Sequence, residues 1–239
     1  MSKVILVASG KGGTGKTVFT ANAGATLTQR GHKVALIDMD IGLRNLDLCL
    51  GLEDKVVYDV IDVLTGLCRI KQALIRDKRF GSLYLMASPP GSKSADITPM
   101  HMKVLYKKLK RNFEYILVDL PSGINETVLT AAAGADSAVI VTLPEHAAVR
   151  NADILDSALK EKGIDDVKYV LNKVRGDIIS TGLVPGINEI SRKLRPDMAG
   201  IIQYDDNIHI AANNGFPVVF KRGTYIEENF NRIVDRIII

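Results

Sequence analysis

Short apolar runs alternating with segments of helical spacing dominate the chain. Val4–Ala8, Val34–Ile37, Leu83–Met86, Tyr115–Val118, Ala138–Leu143, Val167–Leu171 and Gly200–Ile202 are brief and almost wholly apolar, as strands buried on both faces require. Between them Thr17–Arg30, Thr98–Arg111 and Ala147–Lys162 carry apolar residues at helical spacing. Gly31 and Gly163 follow the first and last of these, where a helix C-cap glycine belongs. Strands alternating with helices predict βαβ units, hence an α/β fold: a doubly wound, mostly parallel sheet flanked by helices. The stretch Ile41–Phe80 mixes loop signals with a short helical segment near Tyr58–Leu64. A T-x-x-E capping box at Thr224–Glu227 opens the last helix, whose Ile226, Phe230, Ile233/Val234 and Ile237 form one face that predicts core packing. No linker, low-complexity tract or repeat interrupts this order, so one domain is expected over residues 1–239.

Composition narrows the function without naming it. Hydrophobic residues are 46% of the chain, Trp is absent and Phe and Tyr are scarce, which argues against an aromatic platform for stacking bases. The formal net charge is +4, with basic clusters at Arg76/Lys78/Arg79, Lys103–Arg111, Arg192/Lys193/Arg195 and Lys221/Arg222. Such clusters are usually solvated faces, and otherwise serve an anionic surface such as lipid headgroups or DNA. Cys49 and Cys68 form no C-x-x-C pair and read as ordinary packed thiols in a reducing, cytoplasmic setting. The glycine-rich loop after Ser9 interrupts the first apolar run, so no secretory signal is expected, and no apolar stretch is long enough to span a bilayer.

The chemistry begins at Gly10–Thr17. G-K-G-G-T-G-K-T fits G-x-x-x-x-G-K-[ST], follows an apolar strand and opens a helix, the context a phosphate-binding loop needs. In such a loop the backbone N–H groups of Gly10, Lys11, Gly12, Gly13, Thr14 and Gly15 converge on a polyphosphate, and the helix N-terminus adds partial positive charge. Lys16 is expected to reach the β- and γ-phosphates and the Thr17 hydroxyl to ligate Mg²⁺. Lys11 is a second cation within the loop. It either strengthens the field on the γ-phosphate or points outward to the nucleotide of a facing subunit. Strand ends supply carboxylates: Asp38 and Asp40 after Lys33–Ile37, and Asp119 after Tyr115–Val118. Asp119 fits the Walker B role toward Mg²⁺. Of Asp38 and Asp40, one can support the metal while the other faces the attacking water. Gly123 lies four residues beyond Asp119, where a backbone N–H can meet a γ-phosphate and make a nucleotide-state switch.

KGGTGKT at Lys11–Thr17, IDMDIGLRNLD at Ile37–Asp47, LGLED with VVYDV running to Val60, ILVDLPSGI at Ile116–Ile124, VLNKV around Asn172 and AANNGFPV at Ala211–Val218 resemble the deviant Walker A ATPases of the ParA/MinD family of P-loop NTPases. Within that family the chain resembles the MinD-type septum site-determining members, and GLRNLD at Gly42–Asp47 is the most specific segment. The resemblance implies slow, Mg²⁺-dependent ATP hydrolysis that toggles monomer and homodimer. Lys11 would reach the partner's ATP, Lys16 would bind its own, and Asp40 would orient or activate water. Asn45 would lie in the first switch at the dimer face, and Asn172 would bind adenine through its amide. Implied partners are a division inhibitor and a topological regulator of the MinC and MinE kind. Localisation is expected to be cytoplasmic, peripheral to the inner face of the cell membrane. Contact with anionic membrane is expected only through a C-terminal tail.

Some positions depart from the family pattern. Val18 replaces a usual threonine, leaving its N–H for the α-phosphate but no hydroxyl. Leu120 and Ser122 replace small residues of the second switch, and Gln203 stands where relatives often carry proline near the base. The basic balance leaves an alternative, a DNA-partition or flagellar-number ATPase on the same scaffold, although GLRNLD points away from nucleic acid. An iron–sulfur relative is rejected, because both cysteines precede the Walker B strand.

Overall fold

The computed structural model describes residues 2–91 and 96–239. Among the described residues eight strands form one sheet: β1 (Lys3–Ser9), β2 (Val34–Asp38), β3 (Ile75–Arg76), β4 (Leu83–Met86), β5 (Tyr115–Ser122), β6 (Ser137–Thr142), β7 (Val167–Val174) and β8 (Asp197–Gln203). The spatial order is β3-β4-β2-β5-β1-β6-β7-β8, parallel throughout except for the antiparallel β3–β4 pair at the edge. Among the described residues the helices are α1 (Lys16–Gln29), α2 (Leu46–Leu50), α3 (Val60–Leu64), α4 (Ile70–Ala73), α5 (Pro99–Leu109), α6 (Glu126–Ala131), α7 (His146–Glu161), α8 (Gly176–Ile179), α9 (Ile187–Lys193), α10 (Asp206–Asn213) and α11 (Tyr225–Ile238).

Two-sided burial of the strands explains both the apolar runs and the layering. In β1, Val4, Leu6 and Ala8 join the core beneath α3, α5, α6 and α7, while Ile5 and Val7 join the core beneath α1, α2 and α11. β2 divides its residues in the same way, Ala35 and Ile37 against Val34 and Leu36. β1 sits between β5 and β6, so the chain leaves it in one direction for β2 and later crosses it from β5 to β6. That reversal is the switch point at which open α/β sheets bind ligands beyond their strands' carboxyl ends.

The C-terminal stripe packs as its spacing predicts: Ile226, Phe230, Ile233, Val234 and Ile237 are all buried. Its capping differs in one detail. The Thr224 hydroxyl accepts the Glu227 N–H at 3.2 Å, but the Glu227 carboxylate accepts the N–H of Gly223 at 2.6 Å, so the reciprocal half of the predicted box closes one residue early. α11 sits directly on β8, where a Cβ on Gly200 would lie 2.5 Å from Ile233 Cγ1. Gly200→Val is therefore expected to lift this contact and cost about 1–3 kcal/mol through overpacking, read as a lower urea midpoint at unchanged slope.

Candidate functional site

A cleft of about 640 Å³ opens at the carboxyl edge of the sheet, above the turn from β1 into α1. Gly12, Gly13, Thr14, Gly15, Lys16, Thr17 and Val18 line its floor, as the phosphate-loop motif predicts. The loop's shape depends on close packing at Gly15. This residue adopts φ +87°, and a Cβ there would fall 2.4 Å from the Asn172 amide nitrogen. Asn172 donates that nitrogen to the Thr14 carbonyl at 2.7 Å, and Lys173 donates to the Gly13 carbonyl at 2.8 Å. Gly10 lies outside the cleft lining, with its carbonyl accepting from Asn151 on α7 at 3.2 Å.

Beneath the floor the charges are buried and coupled. Lys16 Nζ lies 3.0 Å from Asp119 Oδ1, which also accepts the Thr20 hydroxyl at 3.1 Å. Asp38 pairs with Asp119 in the β2–β5 register and is fully buried. Burial first, then the Asp119 charge, push its carboxyl up to about 7, opposed by N–H bonds from Asp40 at 2.9 Å and Leu46 at 3.2 Å. Each Asp38 oxygen thus accepts one backbone N–H, which ties Asp38 to Asp40 and to the start of α2. Asp40 is half-buried and lines the cleft. Burial raises its carboxyl, with Lys16 opposing and Asp119 adding to the rise. The two carboxylates that spacing alone left interchangeable occupy different places: Asp38 below, Asp40 at the cavity wall.

The remaining predicted residues fall on either side of the cleft boundary. Asn45 and Asn172 line it. Gly123 does not, and its N–H donates to the Ser9 carbonyl at 2.8 Å, so in this conformation that amide is not offered to a phosphate; Ser122 lines the cleft instead. Lys11 also lies outside the lining, its half-exposed ammonium 2.5 Å from Glu145 Oε2 at the start of α7.

Sequence reasoning missed the wall formed by Tyr204, Asp205, Ile208 and His209, contributed by the loop after β8 and by α10. Cys49 corrects the reading of two ordinary thiols. It lines the cleft, and burial followed by the charges of Asp119, Asp38 and Asp47 pushes its thiol up to about 12. Thr20 was missed as well, although its place one helical turn beyond Lys16 is a local signal; the far wall follows from tertiary placement and has no local motif.

The donor set fits a nucleotide with a hard cation. Asp119 Oδ2 and Thr14 Oγ1 are buried at the loop without a protein partner, and such orphaned atoms call for a ligand or water. Among the described residues no three His, Cys, Asp or Glu side chains cluster as a metal cage. Mg²⁺ needs none, because it binds through one or two carboxylates plus substrate phosphates and water. Asp119 and Thr17 are the protein groups suited to hold it.

β5 continues to Ser122, so Asp119 lies within the strand and not at the end that the apolar run Tyr115–Val118 predicted. A glycine-lined loop between β1 and α1, a buried lysine on that aspartate and a second lysine at the loop's outer edge define a deviant Walker A nucleotide-binding protein. Residues 5–218 match the CobQ/CobB/MinD/ParA nucleotide binding domain, and the chain belongs to that family. It is 39% identical over 240 residues to the septum site-determining protein MinD of Bacillus subtilis, covering 100% of this chain and 90% of that protein. Its structure is similar to the MinC:MinD cell division protein complex of Aquifex aeolicus, with TM-score 0.90 and 35% identity over 99% of this chain and 96% of that one. It is also similar to the Pyrococcus horikoshii MinD complexed with Mg-ADP, with TM-score 0.86 and 26% identity over 99% and 96% of the two chains.

Proposed function

We propose that this protein is a MinD-like ATPase that regulates the site of cell division: it binds Mg·ATP, pairs with a second copy, recruits a division inhibitor of the MinC kind, and separates after hydrolysis. The observation that carries this reading is the division of labour between the two loop lysines. Lys16 is buried in the cleft floor, whereas Lys11 projects from the loop's outer edge and does not line its own cleft. A cation in that position suits the phosphates of a nucleotide held by a facing subunit.

In this reading the loop amides from Gly10 to Val18 and the Lys16 ammonium hold the triphosphate, and Asn172 lies toward the base. Asp119, Thr17 and Asp38's network support the Mg²⁺ site, and Asn45 belongs to the switch at the dimer face. Mg²⁺, when bound, neutralises charge developing between the β- and γ-phosphates. Asp40 positions the attacking water, and Gly123 serves as the second switch once its bond to Ser9 opens. Turnover returns the protein to a monomer, stimulated by a topological regulator of the MinE kind. Among the described residues no helix is long and apolar enough to cross a membrane. A peripheral, cytoplasmic protein fits the family, with anionic lipid met only if a C-terminal tail is present.

Lys11→Ala tests the core of this reading. Affinity for Mg·ADP is expected to stay within about twofold, while ATP-dependent dimers disappear in light scattering and turnover falls by at least roughly 100-fold, the scale of one lost transition-state donor. The companion Glu145→Gln releases Lys11 from an exposed ion pair, a contact of about 0.2–1 kcal/mol. It should move the ATP-bound population toward dimer by no more than about fivefold. Unchanged hydrolysis in Lys11→Ala would defeat the cross-subunit role.

A further inference from the structure

A second cavity, of about 280 Å³, lies between α3, α4 and α5, on the sheet face opposite α1, and shares no lining residue with the nucleotide cleft. Val63, Leu64, Ile70 and Val104 make it apolar, and His101 and Lys108 stand at its rim. The apolar surface continues outward: Leu67 is 73%, Met100 64% and Val104 43% exposed. Met100 and Val104 are four residues apart on α5 and so share a face.

The charge around this groove is unlike that of the other helices. Lys160 meets Asp156, Lys193 meets Glu189 and Arg232 meets Glu228, each an i,i+4 pair within its own helix. The stretch from Pro99 to Phe113 contains no acidic residue. Within it only Lys110 has an ion-pair partner among the described residues, Asp136 at 2.7 Å. Lys103, Lys107, Lys108 and Arg111 make no ion pair with a described carboxylate, and neither does Lys71 on α4. The helix dipole accounts for cations in the last turn of α5, at about 0.3–1 kcal/mol each. It does not account for Lys71 on α4 or for the apolar groove that α5 shares with that helix.

We propose that this groove docks an acidic amphipathic helix of a partner protein. The apolar stripe of that helix sits against Val63, Leu64, Ile70 and Val104, and its carboxylates meet Lys71, Lys107, Lys108 and Arg111. Helix-in-groove recognition requires this pairing of an apolar trough with complementary charge. A nucleic acid would use the lysines but leave Leu67, Met100 and Val104 uncovered, and no Phe, Tyr or Trp lines the groove to stack a base. The site is independent of the nucleotide reading, since none of its residues touches the cleft.

The test uses the full chain and a fluorescent peptide of about 18 residues, with leucine at i, i+3, i+4 and i+7 and glutamate on the remaining faces. Fluorescence anisotropy is measured against a peptide of the same composition with dispersed leucines, short duplex DNA and phosphatidylglycerol vesicles. The patterned peptide is expected to bind, and Val104→Glu and Lys108→Glu each to weaken it by at least about tenfold, while Mg·ADP affinity is unchanged. A lysine-for-glutamate version of the peptide should prefer the Lys71→Glu/Lys108→Glu double variant to the parent protein. The proposal is overturned by absence of peptide binding, by equal binding of the dispersed peptide, or by DNA or vesicles, and not the peptide, losing affinity in Lys108→Glu.

Discussion

Asp40→Ala is expected to lower ATP turnover by roughly 10²–10⁴-fold, the range for loss of a positioned general base. Mg·ATP affinity should change by less than about tenfold, and ATP-dependent dimers should persist or accumulate, because the state that precedes hydrolysis can no longer be left. The structure makes Asp40 the suitable carboxylate among three. Asp38 is sealed under the sheet edge with both oxygens accepting backbone N–H bonds, and Asp119 is fully buried, its Oδ1 held by Lys16 and Thr20 and its Oδ2 left for the cation. Asp40 alone of the three lines the cleft, and burial raises its proton affinity while the Lys16 charge restrains it. Single-turnover hydrolysis with pre-bound ATP separates this effect from binding. Turnover within about tenfold of the parent would remove Asp40 from the chemistry. Asp38→Ala should behave differently, losing stability as well as rate, because the N–H groups of Asp40 and Leu46 would be left without their acceptors.

The difference between these aspartates marks the boundary of what the sequence discloses. The strands were legible because burial on both faces writes an uninterrupted apolar run, and the phosphate loop because its chemistry demands a contiguous motif. Asp38 and Asp40 are two residues apart and chemically identical. Spacing alone does not separate them, and only the family resemblance assigned the water to Asp40; in the structure the backbone donors around Asp38 set them apart, and those donors include Leu46 from a helix whose five residues are too few to show a period. The edge strand β3 is two residues long and left no signal for the same reason. Arg44 within the recognisable GLRNLD segment adopts φ +44° and pairs with buried Asp47 at 2.5 Å, a strained arrangement that composition does not reveal. The cleft's far wall, from Tyr204 to His209, owes its place to the position of β8 at the end of the sheet. A linear pattern does not encode that distance. Gly123 was found by its spacing, but its bond to Ser9 belongs to the conformation and not to the motif.

Lys16→Met is expected to damage the protein twice, by separable routes. The ammonium is only 6% exposed and lies 3.0 Å from Asp119, itself fully buried beside Asp38. Removing one partner of a buried ion pair strands the other, at about 3–5 kcal/mol. For a chain of this length that corresponds to a fall in Tm of roughly 6–20 °C without nucleotide. Loss of the charged donor to the β- and γ-phosphates removes a further interaction of about 1.5–3 kcal/mol from binding, or roughly 10- to 150-fold in Kd for Mg·ATP. The double variant Lys16→Met/Asp119→Asn distinguishes the two routes. Asparagine removes the stranded charge yet keeps an oxygen for the Thr20 hydroxyl, so thermal stability should largely return. Affinity should not, because the phosphate donor is still missing and a metal-facing carboxylate has been neutralised as well. Calorimetric titration and thermal melting on the same three proteins decide the matter. If Lys16→Met binds Mg·ATP as tightly as the parent, this lysine serves the fold alone.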